Sequence, residues 1–202
     1  MEKFNRPIWC FREPRSGSSW FVRYIQNNLG KNRLFFDLDI PFFSKTDVYT
    51  IPHSESKKEQ ILNFFKERNQ QQIDSKYILC THEFIALESL RNYNDPVLFR
   101  NCRRNKTHQF ISLVIANATN KYNIYSRTNL EPIRNSLKEM QPITVPLEHL
   151  YSFIEKVREA DLLWKKYAVN YENETIYYED MVQGYTSEIL SLELKMNPMG
   201  GS

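Results

Sequence analysis

The fold follows from residues 8–20, which read IWCFREPRSGSSW. The first four of them are apolar and predict a short buried strand, Ile8–Phe11. From Trp20 onward, apolar side chains recur at helical spacing and predict a helix over Ser18–Leu29. The turn between strand and helix carries a cation, Arg15, together with one glycine and several hydroxyls. A strand, a turn and a helix in this order form an arrangement that commonly holds a phosphate group.

Several residues of this turn are predicted to help bind an anion. Gly17 permits the backbone to approach the anion closely. Ser18 or Ser19 is predicted to cap the helix, so that its first N–H groups face the anion. The turn differs from the loop of nucleoside-triphosphate enzymes, which has two glycines and a lysine before the hydroxyl residue. Here Arg15 precedes a single glycine, and the alternative interpretation is a serine-rich turn with a solvated arginine.

Length and composition predict one globular domain over residues 1–202. The net charge of +3 fits a small anionic ligand and does not indicate a nucleic acid polymer. No stretch approaches the length of a membrane span, and the start lacks the apolar core of a signal peptide, so we expect a soluble, cytoplasmic protein. The odd number and wide spacing of the cysteines predict reduced, buried thiols at Cys10, Cys80 and Cys102.

The pattern along the chain alternates between short apolar strands and longer helices. Further strands are predicted at Tyr77–Thr81, Val97–Asn101 and Thr175–Tyr178. Further helices are predicted at Lys57–Asn69, Thr107–Thr119, Leu147–Tyr171 and Thr186–Lys195. Irregular insertions are expected near residues 30–56 and 120–146. This alternation predicts an α/β fold in three layers, with a mainly parallel central sheet flanked by helices and with ligands beyond the carboxyl ends of its strands.

Polar residues follow the predicted strands at the edge where a ligand is expected. His82 comes directly after one strand, and its near-neutral pKa as a residue type suits a general base. Arg104 and Ser112 are eight positions apart at the start of a predicted helix and can lie on one side to bind the same anion. A cation at a helix start opposes the helix dipole and indicates an anion nearby. His108 lies inside that helix and is less suited to be the base.

Several segments resemble the motifs of sulfotransferases and occur in that family's order. Residues 14–20, PRSGSSW, resemble the P-K-S-G-T-T-W signature, and residues 79–84, LCTHEF, resemble the K-T-H-L-P segment of cytosolic members. Residues 103–113, RRNKTHQFISL, resemble the R-R-[DN]-x-x-x-Q-x-[VI]-S-L pattern of bacterial enzymes that act on trehalose, lipopolysaccharide or lipo-oligosaccharide. Residues 175–181, TIYYEDM, are similar to a late strand ending in Y-E-D-L.

The resemblance implies a P-loop-like fold and transfer of a sulfuryl group from 3′-phosphoadenosine 5′-phosphosulfate (PAPS) to a hydroxyl of a sugar, glycolipid or other small alcohol. It implies adenosine 3′,5′-bisphosphate as product and no metal. His82 would be the base and Arg15 would stabilise charge on the leaving phosphate, while Arg104 and Ser112 would bind the 3′-phosphate. Residues implied to bind the donor are Arg15, Ser16, Gly17, Ser18, Ser19, Trp20, Arg104 and Ser112, with Trp20 against adenine or in the core.

The chain also departs from the family pattern. Arg15 stands where the family usually has lysine, and Cys80 replaces the lysine of the cytosolic K-T-H segment. The basic C-terminal loop that clasps PAPS is missing, and Arg127 or Arg134 is the candidate substitute. Trehalose-type relatives use an acidic base after the first helix, so Asp37 or Asp39 is the alternative to His82, with Glu83 a weaker candidate. The alternative functions are a kinase-like phosphotransferase and a non-catalytic protein that binds PAPS or another nucleotide.

Overall fold

A computed structural model describes residues 7–28, 34–37, 59, 62–63, 77–92, 96–119, 135, 138, 141–184 and 187. The strands are β1 (Ile8–Arg12), β2 (Leu34–Asp37), β3 (Tyr77–Thr81), β4 (Val97–Cys102) and β5 (Asn173–Tyr177). The helices are α1 (Ser18–Asn28), α2 (Lys106–Thr119), α3 (Leu147–Tyr167) and α4 (Tyr178–Val182). Two 3₁₀ helices, Phe84–Asn92 and Ala168–Asn170, complete the described elements.

The described strands form one five-stranded sheet in the order β2-β3-β1-β4-β5, and each neighbouring pair is parallel. β1 is central because it pairs with both β3 and β4. After β1, the chain crosses to β2 at one edge of the sheet. After β3 and after β4, it runs the other way, towards β5 at the opposite edge. The connections therefore reverse direction at β1, and in open parallel sheets such a reversal opens a crevice for ligands at the carboxyl ends of the strands.

Side chains of β1 alternate between the two faces of the sheet and enter two separate cores. Trp9 and Phe11 pack in a cluster with Trp164 of α3 and with the 3₁₀ helix Phe84–Asn92. Ile8 and Cys10 pack in a second cluster that includes the buried residues of α1. Because the central strands β1 and β4 are covered on both faces, every residue in them is buried and most are apolar, as is typical of parallel strands. The result is a three-layer arrangement in which helices lie on both sides of the sheet.

The structure confirms the predicted α/β class, the parallel sheet and its flanking helices. β3 has the predicted bounds, while β4 is one residue longer and β5 begins two residues earlier than predicted. β2 lies inside the stretch 30–56 that was predicted to be irregular, so that interpretation is wrong for residues 34–37. Most of the predicted helices Lys57–Asn69 and Thr186–Lys195, and most of the stretch 120–146, lie outside the described residues.

Cys10, Cys80 and Cys102 are all buried and free, which confirms the predicted thiols. Burial, together with a smaller effect of the nearby Glu13 carboxylate, raises the pKa of Cys102 to about 12. A thiol with this pKa stays protonated and unreactive near neutral pH.

None of the helices that the structure describes combines the length and the apolar character needed to cross a membrane.

Candidate anion-binding site

The loop after β1 has an unusual backbone. The N–H of Glu13 donates to the carbonyl oxygen of Asn101 at 3.0 Å and so extends the β1–β4 pairing by one residue. Arg15 then adopts a φ of 61° and Gly17 a φ of 77°. Glycine takes this left-handed conformation without penalty, but for arginine it costs about 1–3 kcal/mol. Such backbone strain concentrates at functional sites, which makes this loop the candidate site.

Helix α1 begins immediately after this loop. The carbonyl oxygen of Gly17 accepts hydrogen bonds from the N–H groups of Trp20 and Phe21, each at 3.0 Å. Gly17 therefore stands at the cap position, and the prediction that Ser18 or Ser19 caps the helix is wrong by one or two positions. Within the residues that the structure describes, the N–H groups of Gly17 and Ser18 have no acceptor. Both donors can serve an anion at the positive end of the helix dipole.

The side chain of Arg15 is anchored to helix α2. Its Nε donates to the hydroxyl oxygen of Ser112 at 3.0 Å. Ser112 was predicted to share an anion with Arg104, but the structure brings it to Arg15 instead. Both side chains of this pair are half-buried. The guanidinium, the hydroxyl and the N–H groups of the loop supply several donors, which fit a phosphate or sulfate group.

The buried carboxylate of Glu13 anchors the loop to the neighbouring elements. Glu13 is only 2% exposed, and its carboxylate accepts from Nη2 of Arg100 at 2.6 Å and from Nζ of Lys106 at 2.5 Å. Nε2 of Gln109 donates to the same carboxylate at 3.2 Å and to the carbonyl oxygen of Pro14 at 2.7 Å. The loop is thus tied to β4 and to α2 by charge-assisted hydrogen bonds, which are stronger than neutral ones.

Arg100 is the buried cation of this cluster and also contacts Asp161 of α3. Burial by itself would lower the pKa of Arg100, but the Glu13 carboxylate raises it above the ordinary value. The buried Glu13 carboxylate and the partly exposed Asp161 carboxylate therefore balance this guanidinium, as a buried charge requires.

Ser16 connects the loop to the end of β4. Its hydroxyl oxygen lies 2.6 Å from the carbonyl oxygen of Glu13 and 2.6 Å from Oδ1 of Asn101, so it can donate to either. The Asn101 amide nitrogen in turn lies 3.4 Å from the carbonyl oxygen of Ile176 in β5. Ser16 is fully buried. Its side chain therefore supports the loop from the protein interior and does not face a ligand, although it was predicted to bind the sulfuryl donor.

His82 lies at the carboxyl end of β3, beside the start of the loop. Its Nδ1 is 2.7 Å from the carbonyl oxygen of Arg12, the last residue of β1. A carbonyl oxygen only accepts, so Nδ1 carries the proton and the neutral ring holds its lone pair on Nε2. This tautomer is the one that a general base needs if it acts through Nε2.

Arg104 is bound by the protein's own acidic residues. Its Nη1 and Nη2 donate to the two carboxylate oxygens of Asp180 at 2.5 and 2.8 Å. The guanidinium carbon also lies 4.1 Å from the centre of the Tyr177 ring, within the range of a cation–π interaction. The predicted anion near this helix start is therefore present, and it is a carboxylate of α4.

Glu179 accepts hydrogen bonds from backbone N–H groups at the N-terminal end of α2. Its carboxylate accepts from the backbone N–H groups of Arg104 and Asn105 at 3.0 and 3.2 Å. Partial burial raises the pKa of Glu179, but these hydrogen bonds outweigh that effect and hold the pKa below its ordinary value. Glu179 is consequently charged near neutral pH and stabilises the helix start electrostatically.

The corner formed by Tyr177–Asp180 touches both arginine-bearing segments. The Tyr178 ring packs against Gly17 so closely that a Cβ at that position would overlap with it. The guanidinium carbon of Arg103 lies 4.7 Å from the centre of the same ring. Adjacent residues of one corner thus contact the loop and the start of α2, and this places the two segments at the same edge of the sheet.

The other predicted residues lie in the core, at a strand end, on the surface or outside the described part of the chain. Trp20 is half-buried and packs against the α1-side core, which is the alternative to an adenine contact. Cys80 points into that same core. Asp37 ends β2 in register with Cys80. His108 is exposed, and its backbone N–H donates to the side chain of Asn105. Residues outside the described part of the chain are Asp39, Arg127 and Arg134.

Sequence reasoning missed Glu13, Gln109 and Asp180 as parts of the site. Glu13 stands inside the quoted stretch, and its signal was an acidic residue two positions after the apolar run 8–11. Gln109 and Asp180 stand inside segments that resemble family motifs. Gln109 contacts the loop and Asp180 contacts Arg104, but both partners are distant in sequence and only the fold brings them together. Among the described residues, no group of three or more His, Cys, Asp or Glu side chains is placed to hold a metal ion.

No protein-family model matches this chain, and no curated protein matches it. Among solved structures, it is similar to an unliganded sugar kinase from Janibacter sp. HTCC2649. The two share 11% sequence identity over 96% of each chain, with a TM-score of 0.47. A likeness of this degree carries no argument about function.

Proposed function

We propose that this protein is a PAPS-dependent sulfotransferase that acts on a hydroxyl of a sugar, glycolipid or other small alcohol. The observation that carries the proposal is the strained loop at the carboxyl end of the central strand. There, Arg15 stands in the left-handed conformation and its Nε is fixed by Ser112. The N–H groups of Gly17 and Ser18 add donors at the same helix end. The order of sequence motifs described above supports the choice of PAPS.

The loop residues would neutralise the charge that develops on the 5′-phosphate. When bound, PAPS supplies an activated sulfuryl group, and adenosine 3′,5′-bisphosphate is left as the product. Arg15 and the loop N–H groups are already held in place, so they need no reorganisation as negative charge grows. Arg15 contributes charge and oriented donors, because a guanidinium does not readily give up a proton.

His82 would accept the proton of the acceptor hydroxyl. The hydrogen bond from Nδ1 to the Arg12 carbonyl oxygen fixes the ring and leaves the basic lone pair on Nε2. Because Arg12 ends β1 and the loop follows directly, this contact supports a position of the imidazole beside the proposed site of sulfuryl transfer. A general base of this kind contributes roughly 10²- to 10⁴-fold to a rate.

The alternative function is a kinase-like phosphotransferase, which would use the same donors to hold a nucleoside triphosphate. The solved structure named above is a sugar kinase, but its TM-score is too low to decide between the two. A non-catalytic nucleotide-binding protein is the second alternative. All three would bind a phosphate at the loop, so they are separated by which nucleotide binds and by whether turnover follows.

Calorimetry with adenosine 3′,5′-bisphosphate, ATP and GTP distinguishes these functions. We expect the bisphosphate to bind more tightly than either triphosphate. A preference for ATP or GTP would favour the phosphotransferase. Turnover is then measured with labelled PAPS and a panel of hydroxyl acceptors, and binding of the bisphosphate without any turnover would favour the non-catalytic protein.

The His82→Ala variant tests the assigned base. We expect it to bind the bisphosphate as the wild type does and to lose about 10²- to 10⁴-fold in kcat. His108→Ala is the matched control, because His108 is exposed within α2 and should retain wild-type turnover. Unchanged turnover in His82→Ala would move the base to Asp37 or Asp39.

A further inference from the structure

The start of α2 carries a cation that is already paired within the protein. Arg104 makes a two-pronged ion pair with Asp180 and lies over the Tyr177 ring. Two parallel N–H···O bonds are the geometry that a guanidinium also uses to bind phosphate. Asp180 therefore occupies the same donors of Arg104 that a phosphate would need.

This ion pair is accessible to a ligand. The Arg104 side chain is 52% exposed and the Asp180 side chain 28% exposed. Exposed ion pairs contribute little to stability, because water and salt compete for both partners. A phosphate dianion, with more charge and more acceptor oxygens than a carboxylate, can therefore exchange with Asp180 without unfolding the corner.

The corner that carries Asp180 also contacts the proposed site. Tyr178 packs on Gly17 of the loop, and Tyr177 lies on Arg104. One ligand can therefore place a first phosphate at the loop and a second at Arg104, where the Asp180 carboxylate lies. Unless Asp180 moves, its negative charge repels a second phosphate on the same ligand.

We propose that Asp180 is a specificity-determining residue that weakens binding of a second phosphate at Arg104, because that phosphate must displace its carboxylate. This inference rests on the proposed function, in which the ligand is a nucleotide with phosphates at both the 5′ and the 3′ position. The first phosphate binds at the loop and is insensitive to Asp180. The second one exchanges with Asp180, which swings away as the new ion pair forms.

Two nucleotides separate the contributions of the two phosphates. Adenosine 5′-monophosphate carries only the first, and adenosine 3′,5′-bisphosphate carries both. Their dissociation constants are measured by calorimetry for the wild type, Asp180→Asn and Glu155→Gln. Glu155 is an exposed carboxylate on α3 that pairs with Arg158 at 3.7 Å, so its variant removes one negative charge away from the corner. Thermal unfolding of each variant is recorded alongside.

We expect Asp180→Asn to bind the bisphosphate up to about fivefold more tightly, since an exposed ion pair of this kind no longer competes. The monophosphate should bind the variant and the wild type equally, and Glu155→Gln should change neither constant. Adding Arg104→Ala to Asp180→Asn should abolish the gain, because the cation that receives the second phosphate is then missing.

Equal effects of Asp180→Asn on both nucleotides, or no effect on either, would overturn this inference and leave the proposed function intact. Weaker binding of the bisphosphate by a folded Asp180→Asn variant would overturn it as well. Failure of both nucleotides to bind the wild type would overturn the proposed function, and the inference with it.

Discussion

Replacing Glu13 with alanine tests whether the buried charge cluster holds the loop in place. The carboxylate is 2% exposed and accepts from Arg100, Lys106 and Gln109 at 2.5–3.2 Å. Glu13→Ala removes all three hydrogen bonds. It also leaves the buried Arg100 with Asp161 as its remaining acidic partner in the cluster.

The magnitude follows from how much of the cluster survives. Removing one partner of a buried ion pair costs about 3–5 kcal/mol of the free energy of unfolding. Asp161 still pairs with Arg100, and Lys106 is 35% exposed and can turn to water, so we expect a value near the lower end, about 3 kcal/mol. For a chain of this length, that corresponds to a fall in Tm of about 6–12 °C.

Urea denaturation followed by circular dichroism measures this free energy, and calorimetry measures the Tm. Glu155→Ala is the matched control, because Glu155 is exposed and its ion pair with Arg158 should contribute less than about 0.5 kcal/mol. A loss below about 1 kcal/mol in Glu13→Ala, similar to that of the control, would refute the reasoning that a buried charge cluster anchors the loop.

Three further results are expected. Gly17→Ala should lose about 1–3 kcal/mol and more than Gly184→Ala, since both glycines have positive φ but only at Gly17 would a Cβ overlap with Tyr178; equal losses in urea denaturation would contradict this. The pKa of Glu179 is depressed in the folded state. Its carboxylate therefore stabilises the fold fully at pH values above the pKa that Glu179 has in the unfolded chain, and this contribution is lost as the pH falls through the folded-state pKa. The Tm difference between wild type and Glu179→Gln should therefore be present at pH 7 and vanish once the pH has fallen below the folded-state pKa of Glu179, and a difference that does not change with pH would argue against these hydrogen bonds. Iodoacetamide should modify no cysteine of the native protein and all three after denaturation, as read by mass spectrometry, because each thiol is buried; rapid labelling of the native protein would contradict the burial.

The central strand, the loop and the first helix could be predicted from sequence because their signals are local. An apolar run buried on both faces predicts β1, and helical spacing of apolar residues predicts α1. β2 was missed because its four residues, LFFD, lie among irregularly spaced aromatics and prolines, and a short apolar run is ambiguous by periodicity. Apolar residues at helical spacing on α3 include the buried Phe153 and Trp164 but also Ile154, which is 46% exposed, so periodicity alone does not fix which of them is in the core.

Some residues of the candidate site stand out in the sequence, but their pairing does not. The motif around Arg15 and the position of His82 after β3 follow from residue types and strand ends. The partner of Arg104 could not be predicted in this way, because Asp180 is 76 residues away along the chain and meets Arg104 only when β5 pairs with β4. A helix start with two arginines indicated an anion, but an anion from the protein and one from a ligand give the same sequence signal.

The proposed function depends most on the loop as an anion site, and the affinity of Arg15→Gln for adenosine 3′,5′-bisphosphate tests this directly. Calorimetry should show binding to the wild type and to Arg158→Gln, whose arginine is 71% exposed on α3. Loss of a charged hydrogen-bond donor should weaken binding by Arg15→Gln about 10- to 100-fold. Equal affinity of the wild type and Arg15→Gln for the bisphosphate would contradict the account.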